Sequence, residues 1–311
     1  MSESSAYLVP AYGVPRCPPI PVAVQRAIVP GKAQMSALSM ADAVVLGVVE
    51  GLTEFLPVSS TGHLTIAEKA LGLPIDAPAV TAYTAIIQAG AIVSVILYFW
   101  RDLVRLVSAF FRGLFRPARR DGDYRMAWKV GIASIPVGLV GFALRGVISG
   151  PLRSLWVVAM ALIAWSVVIW LAERVARQDR EERQLTFTDA IVIGLWQCVS
   201  LIPGVSRSGA TISGGLFQGL DRVAATRLSF LMSVPALLAA GVFELKEVPG
   251  SGMTAGPMLV GVAVAFVVAF ASVAWLLRFV SHHRITVFIP YRVGLGVVLL
   301  VLLAAGKIAA T

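Results

Sequence analysis

The chain has 311 residues, of which 58% are hydrophobic and 14% are charged, and its formal net charge is +9. A soluble domain carries about a quarter charged residues, so this composition excludes an ordinary soluble globular protein and favours one dissolved in lipid. The positive charge does not indicate nucleic-acid binding, because the basic residues stand in short segments between apolar runs, as on the cytoplasmic side of membrane proteins. Two cysteines, Cys17 and Cys198, fit neither a disulfide framework nor a zinc cluster.

Residues 1–34 differ from the rest of the chain. They contain six prolines and no apolar run long enough to cross a membrane. We interpret them as a disordered, proline-rich extension, with translation starting at either Met1 or Met35. The sequence predicts that residues 35–311 form a single membrane domain.

A helix needs about 20 mostly apolar residues to cross the hydrocarbon core. Basic residues concentrate in three segments, 101–129, 173–187 and 280–287, which an even number of spans separates. They are therefore predicted to lie together on the cytoplasmic side, with both termini on the outer face. The spans themselves are predicted at residues 80–99, 127–148, 155–172, 226–246, 257–279 and 288–308.

Two further apolar stretches, 41–72 and 188–220, are interrupted in the middle by Pro, Gly and polar residues. They match each other at a constant offset of 147 residues, which pairs Glu50 with Gln197, for example. Each is predicted to form two half-length helices joined by a turn at membrane depth, where protein or a water-filled cavity must surround the irregular backbone.

Three spans separate the two copies, and an odd number of crossings turns the second copy upside down. The fold class predicted is an all-α polytopic membrane protein, with six full transmembrane helices plus two re-entrant helical hairpins in an inverted-topology repeat. The repeat halves run over about 37–172 and 184–308. The tips of the two hairpins are expected to meet near the midplane.

The first tip carries two acids, Glu50 and Glu54, which are four residues apart and share one helix face. Intramembrane acids are functional by default, although these two could instead pair with basic residues and hold the bundle together. Two carboxylates this close repel each other unless one is protonated or a cation lies between them. Mg²⁺ or Ca²⁺ would relieve the repulsion and bridge phosphate oxygens, so both acids are candidate metal ligands.

Hydroxyl and imidazole groups follow at the start of the next half-helix. Ser59 is expected to cap that helix with its side chain. Ser60 and His63 are three residues apart, hence neighbours on one face. A serine beside a histidine is a candidate nucleophile and base.

The second tip supplies the opposite charge. Free backbone N–H groups at a helix N-terminus favour an anion, and the planar fork of Arg207 suits phosphate oxygens. An alternative is that Arg207 forms a salt bridge with one of the acids of the first tip. The residues predicted to bind the phosphate groups of the substrate are Ser206, Arg207, Ser208 and Thr211.

In residues 50–63 and 203–211 the sequence resembles the undecaprenyl-diphosphate phosphatase family, the integral-membrane group linked to bacitracin resistance. The resemblance implies hydrolysis of undecaprenyl diphosphate to the monophosphate, for recycling of the cell-wall lipid carrier. It also implies a bacterial inner-membrane protein, an active site open to the periplasmic face and a divalent cation, Mg²⁺ or Ca²⁺. The partners are then the polyprenyl diphosphate and the bilayer, and a homodimer is one assembly that the sequence allows.

The same resemblance implies catalytic or metal-binding roles for Glu50 and Glu54, and a diphosphate-holding role for Arg207. Either Ser60 or His63 is the attacking group. We favour attack by Ser60, with Glu54 as its base and His63 assisting or protonating the leaving group. The alternative function is a lipid-phosphate transporter or flippase that uses the same anion site, because broken helices in inverted repeats are also a transporter architecture.

Overall fold

The computed structural model describes residues 38–75, 78–148, 150–244 and 254–310. The predicted disordered extension and both candidate start methionines lie outside these residues. Within them, regular structure is helical except for one isolated β-bridge between Arg180 and Leu220.

The longer helices are numbered in chain order. They are α1 (Met40–Thr53), α2 (Ser60–Ala70), α3 (Pro78–Tyr98), α4 (Trp100–Phe115), α5 (Gly122–Ala143), α6 (Leu155–Val175), α7 (Phe187–Val199), α8 (Arg207–Phe217), α9 (Arg222–Glu244), α10 (Ala255–Val280) and α11 (Ile289–Ala304). Residues 54–59 form the first turn, between α1 and α2, and residues 200–206 form the second turn, between α7 and α8.

All six predicted spans are confirmed as helices long and apolar enough to cross a membrane. They are α3, α5, α6, α9, α10 and α11, the last together with the short 3-10 turn before it. The second span begins at Gly122, five residues earlier than predicted, because Asp121 accepts a hydrogen bond from the backbone N–H of Tyr124 and so caps the helix. The chain is therefore a multi-pass membrane protein.

The helix α4 was not predicted. It lies inside the basic segment that the sequence analysis placed between spans. Its buried side includes Leu106 and Ala109, whereas Val104 and Phe111 on another side are more than half exposed. An amphipathic helix of this kind is missed by a search for continuous apolar runs, since its apolar residues recur every three or four positions.

The sequence repeat reappears in the helix boundaries. Ser39 and Asp42 form a capping box at the start of α1, and Thr186 and Asp189, their counterparts at the offset of 147 residues, form one at the start of α7. The helices α2 and α8, which begin at Ser60 and Arg207, share the same length and the same offset. Helix packing follows the repeat as well, since α1 packs on α10 while α7 packs on α5.

The three basic segments lie together on one side of the helices, as predicted. Arg227 forms ion pairs with Asp102, just after α3, and with Glu182, between α6 and α7. Glu173, near the end of α6, pairs with Arg222 and accepts a hydrogen bond from the backbone N–H of Ile285. These contacts join segments that charge alone had assigned to a common face.

The first helix pair, α1 and α2, begins and ends on the opposite side. A Cβ built on Gly256, at the start of α10, would lie 2.7 Å from Met40 Cε, so α1 begins beside α10. Lys69, near the end of α2, donates to the carbonyl of Ala309 at 2.7 Å. The ends of this pair therefore lie beside the start of α10 and the end of the chain, away from the basic segments.

The second helix pair, α7 and α8, has the reverse arrangement. Lys129 donates a hydrogen bond to the carbonyl of Leu185, just before α7. Arg180 donates to the carbonyl of Gln218, just after α8, at 2.6 Å. Both ends of this pair thus lie at the basic segments, and the two pairs enter the bundle from opposite sides. Their re-entry into a bilayer stays a prediction.

Close packing of α1 on α10 depends on glycine, and this gives a prediction. A Cβ on Gly51 would lie 2.7 Å from Val268 Cβ and 2.8 Å from the backbone nitrogen of Ala269. We expect Gly51→Ala to lower the stability of the detergent-solubilised protein by about 1–3 kcal/mol, as overpacking does, in a thermal-melting measurement. Gly138→Ala is the control, because that Cβ would meet open space. Equal melting temperatures for the two variants would contradict this packing argument.

Candidate functional site

The first and second turns lie in direct contact. The backbone N–H of Gly204 donates to the hydroxyl of Ser59 at 3.0 Å, and the hydroxyl of Ser206 donates to the carbonyl of Leu56 at 3.3 Å. Ser59 and Ser206 are counterparts in the repeat, so each turn is tied to the other through the same position. The expectation that the two tips meet is confirmed.

The prediction that Ser59 caps α2 with its side chain is wrong. Ser59 stands at the N-cap position but makes no capping bond, because its hydroxyl faces the second turn. Ser206 does cap α8, accepting from the backbone N–H of Gly209 at 3.2 Å. Both serines have φ of 78°, a left-handed conformation that costs residues with a Cβ about 1–3 kcal/mol and clusters at functional sites.

Glu54 accepts hydrogen bonds from a residue of each helix pair. Its Oε1 accepts from Arg207 Nη2 at 2.9 Å, and its Oε2 accepts from the hydroxyl of Ser60 at 2.5 Å. The carboxylate is only 6% exposed, so both hydrogen bonds form in a largely water-free environment, where they are stronger than in water. The salt bridge that the sequence allowed as an alternative for Arg207 is therefore present, and it includes the predicted base.

The Ser60–Glu54 contact has the geometry of a nucleophile and its base. A hydrogen bond of 2.5 Å to a carboxylate falls in the short, charge-assisted class. Ser60 is half-buried at the first position of α2, while Glu54 lies at the end of α1. The turn between them brings the carboxylate onto the hydroxyl, ready to accept its proton.

His63 makes different contacts from those expected. Its Nδ1 lies 2.7 Å from the carbonyl of Ser59, and its Nε2 lies 2.6 Å from the hydroxyl of Tyr291. A carbonyl can only accept, so Nδ1 carries a proton, and in the neutral ring Nε2 accepts from the Tyr291 hydroxyl. Ser60 donates to Glu54 and not to His63. The imidazole therefore makes no hydrogen bond to the Ser60 hydroxyl.

Tyr291 was not among the predicted site residues. Its ring stacks on His63 with centroids 5.6 Å apart, and it is 52% exposed. A tyrosine at the start of a span ordinarily belongs to the aromatic belt at the membrane surface, so its sequence position alone did not separate it from the other aromatic residues.

The Tyr291–His63 bond gives a prediction. If His63 enters the reaction, Tyr291→Phe frees its Nε2 and shifts the pH profile of kcat, because the imidazole loses the partner that fixes its orientation. An unchanged profile, with His63→Ala also retaining activity, would exclude His63 from the chemistry. Tyr98→Phe, on α3, is the control.

Arg207 is the one predicted phosphate ligand with buried hydrogen-bond donors to spare. Its Nη2 is bound to Glu54, whereas its Nε and Nη1 are buried and have no partner among the described residues. The guanidinium carbon lies over the Phe55 ring, 5.8 Å from its centroid, which is within cation–π range. Two N–H groups in one plane match the spacing of two phosphate oxygens.

The predicted hydroxyl ligands make hydrogen bonds within the protein. Ser206 and Ser208 lie 3.1 Å apart through their Oγ atoms. Thr211 donates to an acceptor in its own helix, the carbonyl of Arg207 at 2.9 Å, or to the hydroxyl of Ser229 at 2.6 Å. All three predicted hydroxyls are buried. They brace the second turn around Arg207, and their contact with substrate stays a prediction.

Glu50 lies one helical turn before Glu54 and is 1% exposed. The described residues contain no group of three or more His, Cys, Asp and Glu side chains that could hold a metal ion. Mg²⁺ commonly uses only one or two carboxylates, with waters and substrate phosphates completing the shell. Cation binding by Glu50 and Glu54 stays a prediction.

Comparison with known proteins places this site in a family context. The chain matches the family described as bacitracin resistance protein BacA over residues 43–298. It is 56% identical over 268 residues to the undecaprenyl-diphosphatase of Acidothermus cellulolyticus, covering 86% of this chain and 97% of the relative. Identity is 54% to undecaprenyl-diphosphatase 1 of Frankia alni and of Streptomyces coelicolor, in each case covering 88% of this chain and 99% of the relative. Both motif blocks fall inside the matched range.

Proposed function

Because this chain belongs to the family described as bacitracin resistance protein BacA, we propose that it removes the terminal phosphate of undecaprenyl diphosphate. The products are undecaprenyl phosphate, the form of the lipid carrier that cell-wall synthesis uses again, and inorganic phosphate. The observation that carries the proposal is the Ser60–Glu54–Arg207 contact, in which a nucleophile, a base and a phosphate-binding fork share one buried carboxylate.

The chemistry proposed for the site has two steps. In the first, Glu54 takes the proton of Ser60 while Oγ attacks the terminal phosphorus, and the bond to the bridging oxygen breaks to release undecaprenyl phosphate. In the second, water attacks the phosphoserine, the Ser60 Oγ–phosphorus bond breaks as Glu54 returns its proton to Oγ, and inorganic phosphate leaves with both protons of the water. The free N–H groups of Arg207 would bind the phosphoryl oxygens, whose charge dominates the energetics of phosphoryl transfer.

A divalent cation, Mg²⁺ or Ca²⁺, is part of the proposal. Glu50 and Glu54 would hold it against the diphosphate, where it would neutralise phosphate charge. In this role the buried Glu50 carboxylate would bind the cation together with Glu54. Removal of divalent cations with a chelator should abolish turnover, and adding back either ion should restore it.

We place the site on the periplasmic side of the bacterial inner membrane. The ends of the first helix pair lie away from the basic segments, and basic segments mark the cytoplasmic side. Re-entry of the two pairs from opposite faces would bring the turns together within the bilayer, so that a lipid tail stays in hydrocarbon while its diphosphate reaches Arg207.

A phosphate-release assay on the purified protein tests this function. With undecaprenyl diphosphate and Mg²⁺ or Ca²⁺, the wild-type protein should release one phosphate per lipid, and Ser60→Ala should release none above background. No release under either cation would overturn the proposal and favour the transporter alternative, to which the names of the relatives give no support.

Trapping of the intermediate identifies the attacking atom. The enzyme is mixed with radiolabelled lipid diphosphate and quenched within one turnover. Because phosphoserine is stable in acid, we expect an acid-stable adduct on the peptide that contains Ser60. An acid-labile adduct on His63 would transfer the nucleophilic role to the imidazole.

A further inference from the structure

Arg292, on α11, is fully buried, with 0% of its surface exposed. In the described part of the chain its guanidinium faces backbone carbonyls and one hydroxyl, and not a carboxylate. Burying a charge is costly unless hydrogen bonds or an opposite charge compensate it. A charged side chain placed this way in a membrane protein marks a functional position by default.

The carbonyls that Arg292 binds belong to both turns. Nη1 donates to the carbonyl of Pro57 at 2.8 Å, and Nη2 donates to the carbonyl of Gly204 at 2.9 Å, with Val205 a second acceptor at 3.2 Å. Pro57 and Gly204 are counterparts at the repeat offset of 147 residues. One guanidinium therefore holds the same carbonyl in each copy of the repeat.

The location of these carbonyls explains why no acid is needed. Each turn follows the C-terminal end of a helix, α1 in one case and α7 in the other. Pro57 and Gly204 lie four and five residues past these ends, so the carbonyls that face Arg292 belong to the turns themselves. Carbonyls of both turns accept from the guanidinium in place of a carboxylate, and the flat fork of arginine reaches both turns at once. The hydroxyl of Ser166 accepts from Nε at 3.3 Å and fixes the tilt of the fork.

We propose that Arg292 is a positioning residue of the active site, and this inference rests on the proposed function. Pro57 lies midway in sequence between Glu54 and Ser60, and Gly204 lies three residues before Arg207. By holding both carbonyls, Arg292 sets the separation of the Glu54 carboxylate from the Arg207 guanidinium across the two turns. A misplacement of 1 Å between catalytic groups can lower the rate about 10²-fold. A shift of one turn relative to the other should therefore lower kcat.

The first test uses Arg292→Lys, which keeps the charge but cannot bind both turns in one plane. We expect kcat to fall by about 10²-fold, with KM little changed and the melting temperature near that of wild type. Arg284→Lys is the matched control, because Arg284 precedes α11 and is exposed. It should leave kcat unchanged. If Arg292→Lys unfolds, or melts far below wild type, the proposal is overturned, since the residue then holds the fold as a whole.

A double-mutant cycle separates positioning from general support. If Arg292 acts through the alignment of Arg207, its substitution matters less once Arg207 is itself replaced. In an Arg207→Lys background, Arg292→Lys should then lower kcat by less than about tenfold, as coupled sites do. The same fold-loss in both backgrounds would mean that Arg292 acts independently of Arg207, and the proposal would be wrong.

Hydrogen–deuterium exchange gives a readout that does not need turnover. Arg292→Lys should raise exchange in residues 54–59 and 200–206 together, and leave the rest of the described helices unchanged. Exchange that rises in only one turn, or throughout the protein, would overturn the proposal that Arg292 holds both turns. Absence of phosphate release by the wild-type protein would instead remove the proposed function, so the two failures are distinguishable.

Discussion

Replacing Glu54 by glutamine is expected to abolish measurable turnover. The change removes the acceptor for the Ser60 proton and one anionic partner of Arg207, while the side chain keeps its size and can still accept at its amide oxygen. Loss of a general base costs about 10²–10⁴-fold, and loss of a cation ligand adds to it. We expect kcat to fall by at least about 10³-fold on that scale, measured as phosphate release at saturating lipid.

A matched control separates this chemical loss from the cost of altering a buried acid. Glu68, on α2, is 2% exposed and accepts a hydrogen bond from Thr84 at 2.8 Å. Glu68→Gln makes the same chemical change to a buried carboxylate in the same helix pair, outside the contacts of Ser60. It should retain activity. Activity retained in Glu54→Gln would remove Glu54 from the mechanism, and equal loss in both variants would show that these carboxylates are structural.

The sequence predicted the spans and the meeting of the turns because both leave strong local signals. A run of about twenty apolar residues is the length that a helix needs to cross the hydrocarbon core of a bilayer. A Pro- and Gly-bent segment that carries Glu54, with an inverted copy that carries Arg207, pairs opposite charges where isolated ones are costly. The structure confirms this pairing in the salt bridge between them.

The contacts that sequence reasoning missed are those made by backbone atoms. Arg292 was a visible signal, a lone arginine inside the last predicted span. Its partners are carbonyls of Pro57 and Gly204, and a carbonyl is present at every residue, so no pattern of side chains pointed to them. Ser59 was misassigned for a related reason. Its residue type suits a helix cap, whereas its hydroxyl accepts from the backbone N–H of Gly204 in the other turn.

Replacing Arg207 by alanine is expected to weaken both substrate binding and rate. The variant loses Nε and Nη1, which have no hydrogen-bond partner among the described residues, and it also loses the cation that accompanies the Glu54 carboxylate. A phosphate clamp acts on the ground state and on the transition state, so KM should rise while kcat falls. Loss of one such donor set typically costs about 10²–10³-fold in kcat, and the measurement is a full saturation curve with the lipid diphosphate.

Arg207→Ala should also lower the stability of the protein. Its control therefore has to be a substitution that lowers stability by a similar amount. Breaking a buried ion pair by removing one partner costs about 3–5 kcal/mol. Arg222 pairs with Glu173 at 2.8 Å, and the carboxylate side chain of Glu173 is 3% exposed. Arg222→Ala therefore breaks a comparable pair among the basic segments and should lower the melting temperature without changing kcat/KM. If Arg207→Ala loses stability alone, with kcat/KM unchanged, Arg207 is a structural partner of Glu54 and the phosphate must bind elsewhere.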